Sequence, residues 1–570
     1  MKPLLTVWGE NLDTDLPLPE YPRPQMERDS WINLNGPWEY AITESDALPM
    51  AYEGTITVPF SPESVLSGVN RTLLPHQTLW YRRHFSLPDG FAPDGGRVLL
   101  HFGAVDQEAV VTLNGHQVGR HMGGYTAFSM DITDALERDN LLVVCVHDDT
   151  DASWHSRGKQ KTKRGGIWYT PQSGIWQTVW LEAVPADHIC DLHILPRYDD
   201  SAIEITVDSS APGSIRLLDQ EYAFLPHQPL CIPLPDFHPW SPEDPYLYPF
   251  TVAVGQDRIK SYFAMRKTEV RADEQGVKRL FLNNKPYFHN GLLDQGYWPD
   301  GLYTPPSDEA MIFDIQAAKD LGYNMLRKHI KIEPMRWYYH CDRLGMLVWQ
   351  DMVSGGGEYN FLTISTPLVT GLHRRDNAYA AFARSAPEGR AEYRAELKET
   401  ITQLYNVPSI VLWVPFNEGW GQFDAAEACK AILALDASRP IDHASGWHDQ
   451  KIGDIKSLHV YFRPYKFHPD KLGRAVVLSE FGGYNLRVDG HCFNEADYGY
   501  RKLPDQQALW NAYRKLYEEQ IIPSIPKGLC AAVYTQLTDV EDELNGIMTY
   551  DRKVVKLPAE QLKELNERVR

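Results

Sequence analysis

The chain has 570 residues, 43% of them hydrophobic, and its 56 basic against 76 acidic side chains leave a net charge of −20. That excess of acid argues against a polyanionic partner such as nucleic acid, and no run of about 18 uncharged apolar residues offers a membrane span. The length suits a large globular enzyme of roughly three or four domains.

The N-terminal stretch Met1–Glu10 lacks the apolar core of a secretory signal, so a cytoplasmic location is expected. Residues 1–182 are β-rich. Arg97–Phe102, Ala109–Leu113 and Leu141–Val146 read as strands, with the turn pair Asn114-Gly115 marking a hairpin. Together they predict a sandwich. Residues 183–271 hold short alternating segments such as Ile203–Val207 and Tyr248–Val254 between Pro-rich turns, which suits one small immunoglobulin-like sandwich. The seven cysteines are odd in number and contain no Cys-x-x-Cys pair, so they read as reduced, mostly buried thiols.

Strands then alternate with helices over 272–570, the pattern of a parallel α/β unit. Ser307 is placed to cap a helix whose Met311, Ile315 and Ala318 share one face, and Gly322 sits where that helix should stop. Strands are expected near Tyr287, Met325, Met346, Ile410, Ile441, Ile455, Val476 and Ala531. Eight such units predict a (β/α)8 barrel.

Two glutamates stand out in that barrel. Glu418 follows the apolar run Ile410–Trp413, and Glu480 follows Ala475–Leu478; each precedes glycine or Phe-Gly-Gly. Runs apolar on both faces are buried parallel strands, and an acid at the carboxyl end of one reaches the face where barrels keep their chemistry. On this count Glu418 closes strand four and Glu480 strand seven, with short helices between. Paired carboxylates are the requirement of glycoside hydrolysis: one acid protonates the leaving oxygen while a second carboxylate attacks or stabilises the anomeric carbon.

The segment Tyr405–Glu418 closely resembles the acid/base signature of glycoside hydrolase family 2, the β-galactosidase and β-glucuronidase group. Asn324–Arg327 through Asp342–Val348 resembles the family's other signature, with the arginine kept and the histidine shifted by one. Earlier, Tyr21-Pro22-Arg23-Pro24, Leu34–Tyr40 and Ser173–Glu182 resemble the family's jelly-roll sugar-binding domain. The resemblance implies a jelly roll over 1–182, the immunoglobulin-like sandwich and a catalytic barrel over 272–570. It also implies a retaining mechanism, with Glu480 as nucleophile and Glu418 as acid/base, whose pKa the charge on Glu480 should raise. By the same resemblance Asn417 would bond the sugar 2-hydroxyl, Tyr461 would orient the nucleophile and Arg327 would bond its carboxylate.

His459 is counted among the substrate-binding residues, Asp294 is expected to take a sugar hydroxyl, and Trp298, Tyr534, Trp413 and the Trp168-Tyr169 pair are candidate faces for a sugar ring. The acidic stretch Thr535–Gly546 lacks the Asn-x-Lys pair by which glucuronidases hold a carboxylate, so a uronic acid should be repelled there. Arg157, Lys159, Lys161, Lys163 and Arg164 form a basic loop that could reach over the barrel, although a solvated loop is the preferred reading. Neither the acidic run nor Gly355-Gly356-Gly357 fits a calcium or nucleotide loop, so no metal and no cofactor is assigned. The expected partner is a carbohydrate substrate, and a homo-oligomer is compatible with the sequence. The sequence thus predicts a β-galactosidase-like exo-hydrolase. Its alternatives are a family hydrolase for β-glucuronide, β-mannoside or α-L-arabinoside, and a carbohydrate-binding protein without turnover.

Overall fold

The computed structural model describes residues 3–569. Alternating burial along Glu108–Leu113 and Asn140–His147 gives each strand one face to bury, and two antiparallel sheets meet on those faces. A six-stranded sheet packs on a four-stranded one, with Trp38, Tyr81, Val111 and Val144 facing Leu100, Phe102 and Leu181 in the core between them. The Asn114-Gly115 hairpin joins Glu108–Leu113 to His116–Met122, with both turn residues at positive φ, 51° and 83°, as a type I′ turn requires. A second sandwich of three and four strands spans Ile189–Phe263 around Ile203, Ile205, Ile215 and Val252.

The hairpin Thr268–Ala272 with Lys278–Leu282 leads into the barrel and brings Leu280 and Leu282 against Met325, Leu347, Ile455 and Ala475. These last four residues begin their strands, so the hairpin plugs the amino-terminal end. Ser307 caps the helix Asp308–Asp320, and Met311, Ile315 and Ala318 are buried on it. Parallel strands run in the order Ile410–Val414, Leu347–Asp351, Met325–Lys328, His289–Asp294, Leu529–Thr535, Ala475–Gly482 and Ile455–Val460.

The strand expected near Ile441 is not regular. Residues 441–445 close the ring through parallel bridges Trp413 to Ile441 and Asn417 to Ser445. Pro440 and Pro415 have no N–H, so the ladder between these two segments is interrupted. Between Glu418 and Glu480 one α-helix forms, Ala425–Leu435, in keeping with the short interval. The seven cysteines are free, but only Cys341, Cys429 and Cys530 are buried; Cys190 and Cys231 are exposed, against the expectation of mostly buried thiols. Among the described residues no helix is long and apolar enough to cross a membrane.

Candidate active site

Both glutamates reach the carboxyl-terminal mouth of the barrel by a local departure from regular backbone. Glu418 adopts φ 52°, ahead of Gly419 at φ 84°. A non-glycine residue in that region costs about 1–2 kcal/mol, and here the turn brings the carboxyl back over the barrel axis. Glu480 lies within its strand, where the pairing register slips between Leu478 and Phe481 on one side and opposite Leu458 and His459 on the other. Bulges of this kind re-aim side chains beside active sites.

A carboxylate oxygen of Glu418, Nδ1 of His459 and a carboxylate oxygen of Glu480 all lie within 4.8 Å of one another. Arg327 is the buried organiser. Its guanidinium donates to Glu480 Oε1 at 3.0 Å, to Asn417 Oδ1 at 2.9 Å and to both oxygens of Asp351 at 3.0 and 2.9 Å. The Tyr461 hydroxyl donates to the other Glu480 oxygen at 2.5 Å and contacts Thr535 Oγ1 at 2.9 Å. Burial and the neighbouring Glu480 charge push the Tyr461 phenol well up, so it remains a donor. His459 Nδ1 sits 2.7 Å from Glu418 Oε1 and 3.5 Å from Glu480 Oε2. One imidazole therefore bridges the two acids.

This bridge corrects the expectation that Glu480 raises the pKa of Glu418. Burial does push the Glu418 carboxyl up. The hydrogen bond and charge of His459, the Trp420 indole N–H at 3.1 Å and the Lys159 charge outweigh it and hold the group below its ordinary value. The same three side chains have a spacing that suits a cation. Arg327, Tyr461 and His459 already occupy their oxygens, which fits an organised carboxylate pair better than a metal centre.

The cleft above the pair is walled by Lys159, Trp168, His329, Trp420, Tyr500 and Glu543. Two of these come from the first domain. The basic loop expected to be solvated instead folds over the barrel: Arg157 donates to the carbonyls of Gly356 and Gly357, and Arg164 pairs with Asp542 at 2.9 Å and Glu541 at 3.3 Å. Gly355 permits this approach, because a Cβ there would stand 2.3 Å from the His155 carbonyl oxygen. The acidic run is correspondingly compensated. Glu543 accepts from the Tyr169 hydroxyl and lies 3.8 Å from the Lys159 ammonium, while Asp539 binds Lys556 at 2.5 Å. It therefore does not present a bare negative wall.

Among the sequence candidates, Asn417, Glu418, Glu480, Tyr461 and Arg327 come together with His459, which lies beneath the cleft against Ser445. Asp294, Trp298 and Tyr534 do not join them. Asp294 is bound to Lys328 at 2.6 Å, Trp298 packs under Arg552 and beside Trp8, and Tyr534 fills the core against Phe481 and Tyr513. Trp413 is also internal, donating to Asp436. Asp351 was missed, although it too is an acid ending an apolar strand. Tyr500 lies outside any strand pattern, stacked on Tyr461 at 3.9 Å.

A buried and a half-buried carboxylate held by an arginine, a tyrosine and a histidine at the mouth of a parallel barrel define a glycosidase-type site. Comparison with known sequences gives the family. Residues 54–176 match the glycosyl hydrolase 2 galactose-binding domain-like model and residues 277–479 match the glycosyl hydrolases family 2 TIM barrel domain, and the chain belongs to glycoside hydrolase family 2. It is 25% identical over 413 residues to a β-galactosidase of Thermoanaerobacter pseudethanolicus, covering 66% of this chain and 50% of that one. It is 23% identical over 536 residues to a β-glucuronidase of Streptococcus agalactiae, covering 86% of each. The chain thus spans about half the length of that β-galactosidase. A β-glucuronidase structure from an uncultured Clostridium superposes with a TM-score of 0.74 at 19% identity over 95% of this chain and 99% of the other.

Proposed function

We propose that the protein is a retaining exo-glycosidase of β-galactosidase-like type. The observation that supports the retaining mechanism is the close approach of the two acids: an oxygen of each lies within 4.8 Å of the other, nearer the roughly 5–5.5 Å of retaining enzymes than the roughly 6.5–9.5 Å of inverting ones. Glu480 attacks the anomeric carbon as the glycosidic C–O bond breaks, and Glu418 supplies the proton to the leaving oxygen. A covalent glycosyl ester forms on Glu480. Glu418, now a carboxylate, takes a proton from water whose oxygen attacks the same carbon, and the ester bond breaks to return Glu480.

Arg327 and Tyr461 hold the nucleophile by charge-assisted hydrogen bonds. With Asn417 Oδ1 engaged by Arg327, its Nδ2 amide is the group available to the sugar 2-hydroxyl. Because His459 touches both acids, their ionisation is a property of the set and pH profiles report macroscopic values. The roof formed by Lys159 and Trp168 supports action on chain ends.

A second reading, a uronide hydrolase, is favoured by Lys159, which lines the cleft and whose ammonium forms a 3.8 Å ion pair with Glu543 and lies 5.3 Å from the Tyr169 ring centre. The test is nitrophenol release from β-galactoside, β-glucuronide, β-mannoside, β-glucoside and α-L-arabinoside by wild type and Glu480→Ala. Turnover of the galactoside that collapses in the variant is expected. Preference for the glucuronide would replace the first reading with the second, and silence across the panel from folded protein would refute both.

A further inference from the structure

The chain between Asn140–His147 and Gly174–Ile175 contains no regular element, yet it carries Lys159 and Trp168 to the cleft. Loops of that length are uncommon inside a compact domain unless they serve a site. What holds this one is a buried glutamine. Gln160 is 1% exposed, and both ends of its side-chain amide are engaged. Nε2 donates to Asp106 Oδ2 and to the Tyr125 hydroxyl, both at 2.9 Å, and Oε1 accepts from the Gln172 N–H at 2.7 Å. The Gln172 N–H can only donate, which fixes Oε1 toward it and Nε2 toward Asp106.

Both ends of the loop are tied to the same part of the sandwich. Asp148 accepts from the Thr150 N–H at 2.6 Å and from the Ser173 hydroxyl at 2.7 Å, and Glu63 accepts from the Ser173 N–H at 3.0 Å. Asp106 pairs with Gly174, where the loop ends. Gly124 leaves room for the Asp106 carboxyl, since a Cβ there would stand 2.2 Å from its Oδ1. On the outgoing limb Lys159 directly precedes Gln160. The Lys159 carbonyl accepts from the Tyr169 N–H at 2.9 Å, and the Lys161 N–H donates to the Tyr169 carbonyl at 3.1 Å. The limb bearing Lys159 is thereby laced to the limb bearing Trp168, and Gln160, inside the lacing, anchors both in the sandwich.

We propose that Gln160 is a positioning residue for the reaction, its amide clamping both limbs of the loop to Asp106 and Tyr125 and so holding Lys159 and Trp168 at the cleft wall. The proposal rests on the cleft being a glycosidase site. Among the described residues the Gln160 side chain bonds neither acid, so it acts only through its neighbours. Loss of the amide leaves the Gln172 N–H without its acceptor in a buried place, a cost the loop relieves by leaving the sandwich. The contacts of Arg327 and Tyr461 that hold Glu480 are made within the barrel and stay in place. The effect therefore falls on how the sugar is held more than on how its bond is broken.

The experiment measures kcat and KM for the aryl glycoside the wild type turns over, with thermal melting to establish folding. Gln160→Ala should raise KM with kcat less affected. Adding Trp168→Ala to it should raise KM by no more than about twofold further, because a displaced wall has already lost that contact. Gln160→Glu sets an acceptor against Asp106 and should raise KM too, whereas Gln160→Glu with Asp106→Asn exchanges donor and acceptor and should return KM to within about twofold of wild type. Should Gln160→Ala fail to fold, Tyr125→Phe, which removes one acceptor of the amide and keeps the ring, carries the test by a smaller rise in KM. An unmoved KM in the folded variants, a Trp168→Ala penalty undiminished beside Gln160→Ala, or an exchanged pair no better than Gln160→Glu would overturn the clamp. Glu480→Ala separates the two ideas: if it is inert while KM stays put in the others, only the clamp falls, whereas an active Glu480→Ala removes the reading on which the clamp rests.

Discussion

Tyr461→Phe removes one oxygen and nothing else from the candidate site. The lost hydroxyl donates to Glu480 Oε2 at 2.5 Å, and a hydrogen bond to a charged group contributes about 1.5–3 kcal/mol. That range corresponds to roughly 10- to 150-fold in rate. The phenyl ring keeps its stacking on Tyr500 at 3.9 Å and 10°, so the melting temperature should barely change. The slowed step is expected to be hydrolysis of the glycosyl-enzyme, in which charge returns to Glu480 and the hydroxyl must receive it. With a dinitrophenyl glycoside, whose leaving group needs no acid, rapid mixing should show a burst of phenol followed by a steady rate reduced by that factor. A steady rate within about twofold of wild type, in a protein with unchanged melting, would refute the role assigned to Tyr461.

Lys159→Ala is expected to move the alkaline limb of kcat/KM upward, because the Lys159 charge helps to hold Glu418 below its ordinary value; the pH profile of the aryl glycoside checks it. Trp168→Ala removes a ring that stacks on Tyr359 at 5.8 Å and meets Trp420 edge-on at 5.3 Å. Those contacts lie within the protein, so at about 0.5–1.5 kcal/mol each their loss should lower stability by denaturant titration, while removing a ring from the cleft wall should raise KM with kcat less affected, as initial rates will show. Glu396 concerns stability. Burial pushes its carboxyl up from 4.5 to about 8, so the folded state holds the proton more tightly than the unfolded chain. Its contribution is intact below pH 4.5 and is lost as pH rises to about 8. Glu396→Gln should flatten that decline, gaining of the order of a few kcal/mol at alkaline pH by denaturant titration.

The barrel was legible because apolar runs bounded by turns mark buried strands, and the two catalytic candidates because an acid within a few residues of the end of such a run has few structural explanations. Asp351 carries the same mark at the end of Leu347–Asp351 and escaped notice because no glycine follows it. The failures have a common cause. Asp294 also ends a strand, but Lys328 lies beside it across the sheet, a pairing of residues from neighbouring strands that linear spacing does not reveal. Trp168 was readable as a candidate sugar face, but the solvated reading was preferred for the loop that carries Lys159, since its place over the barrel depends on contacts with Ser354, Gly356 and Gly357 nearly two hundred residues later. The expectation for the Glu418 pKa considered its charged partner in the sequence argument and omitted the imidazole that the sixth barrel position inserts between the two acids.

The loop that crosses from the first sandwich to roof the cleft makes the cleft a joint product of two distant parts of the chain. The barrel contributes both carboxylates and the groups that orient them; the sandwich contributes Lys159 and Trp168 to the surface a sugar meets on entry. Changes in that loop would therefore reshape the wall a ligand meets while leaving in place the side-chain contacts that hold the two carboxylates in the barrel.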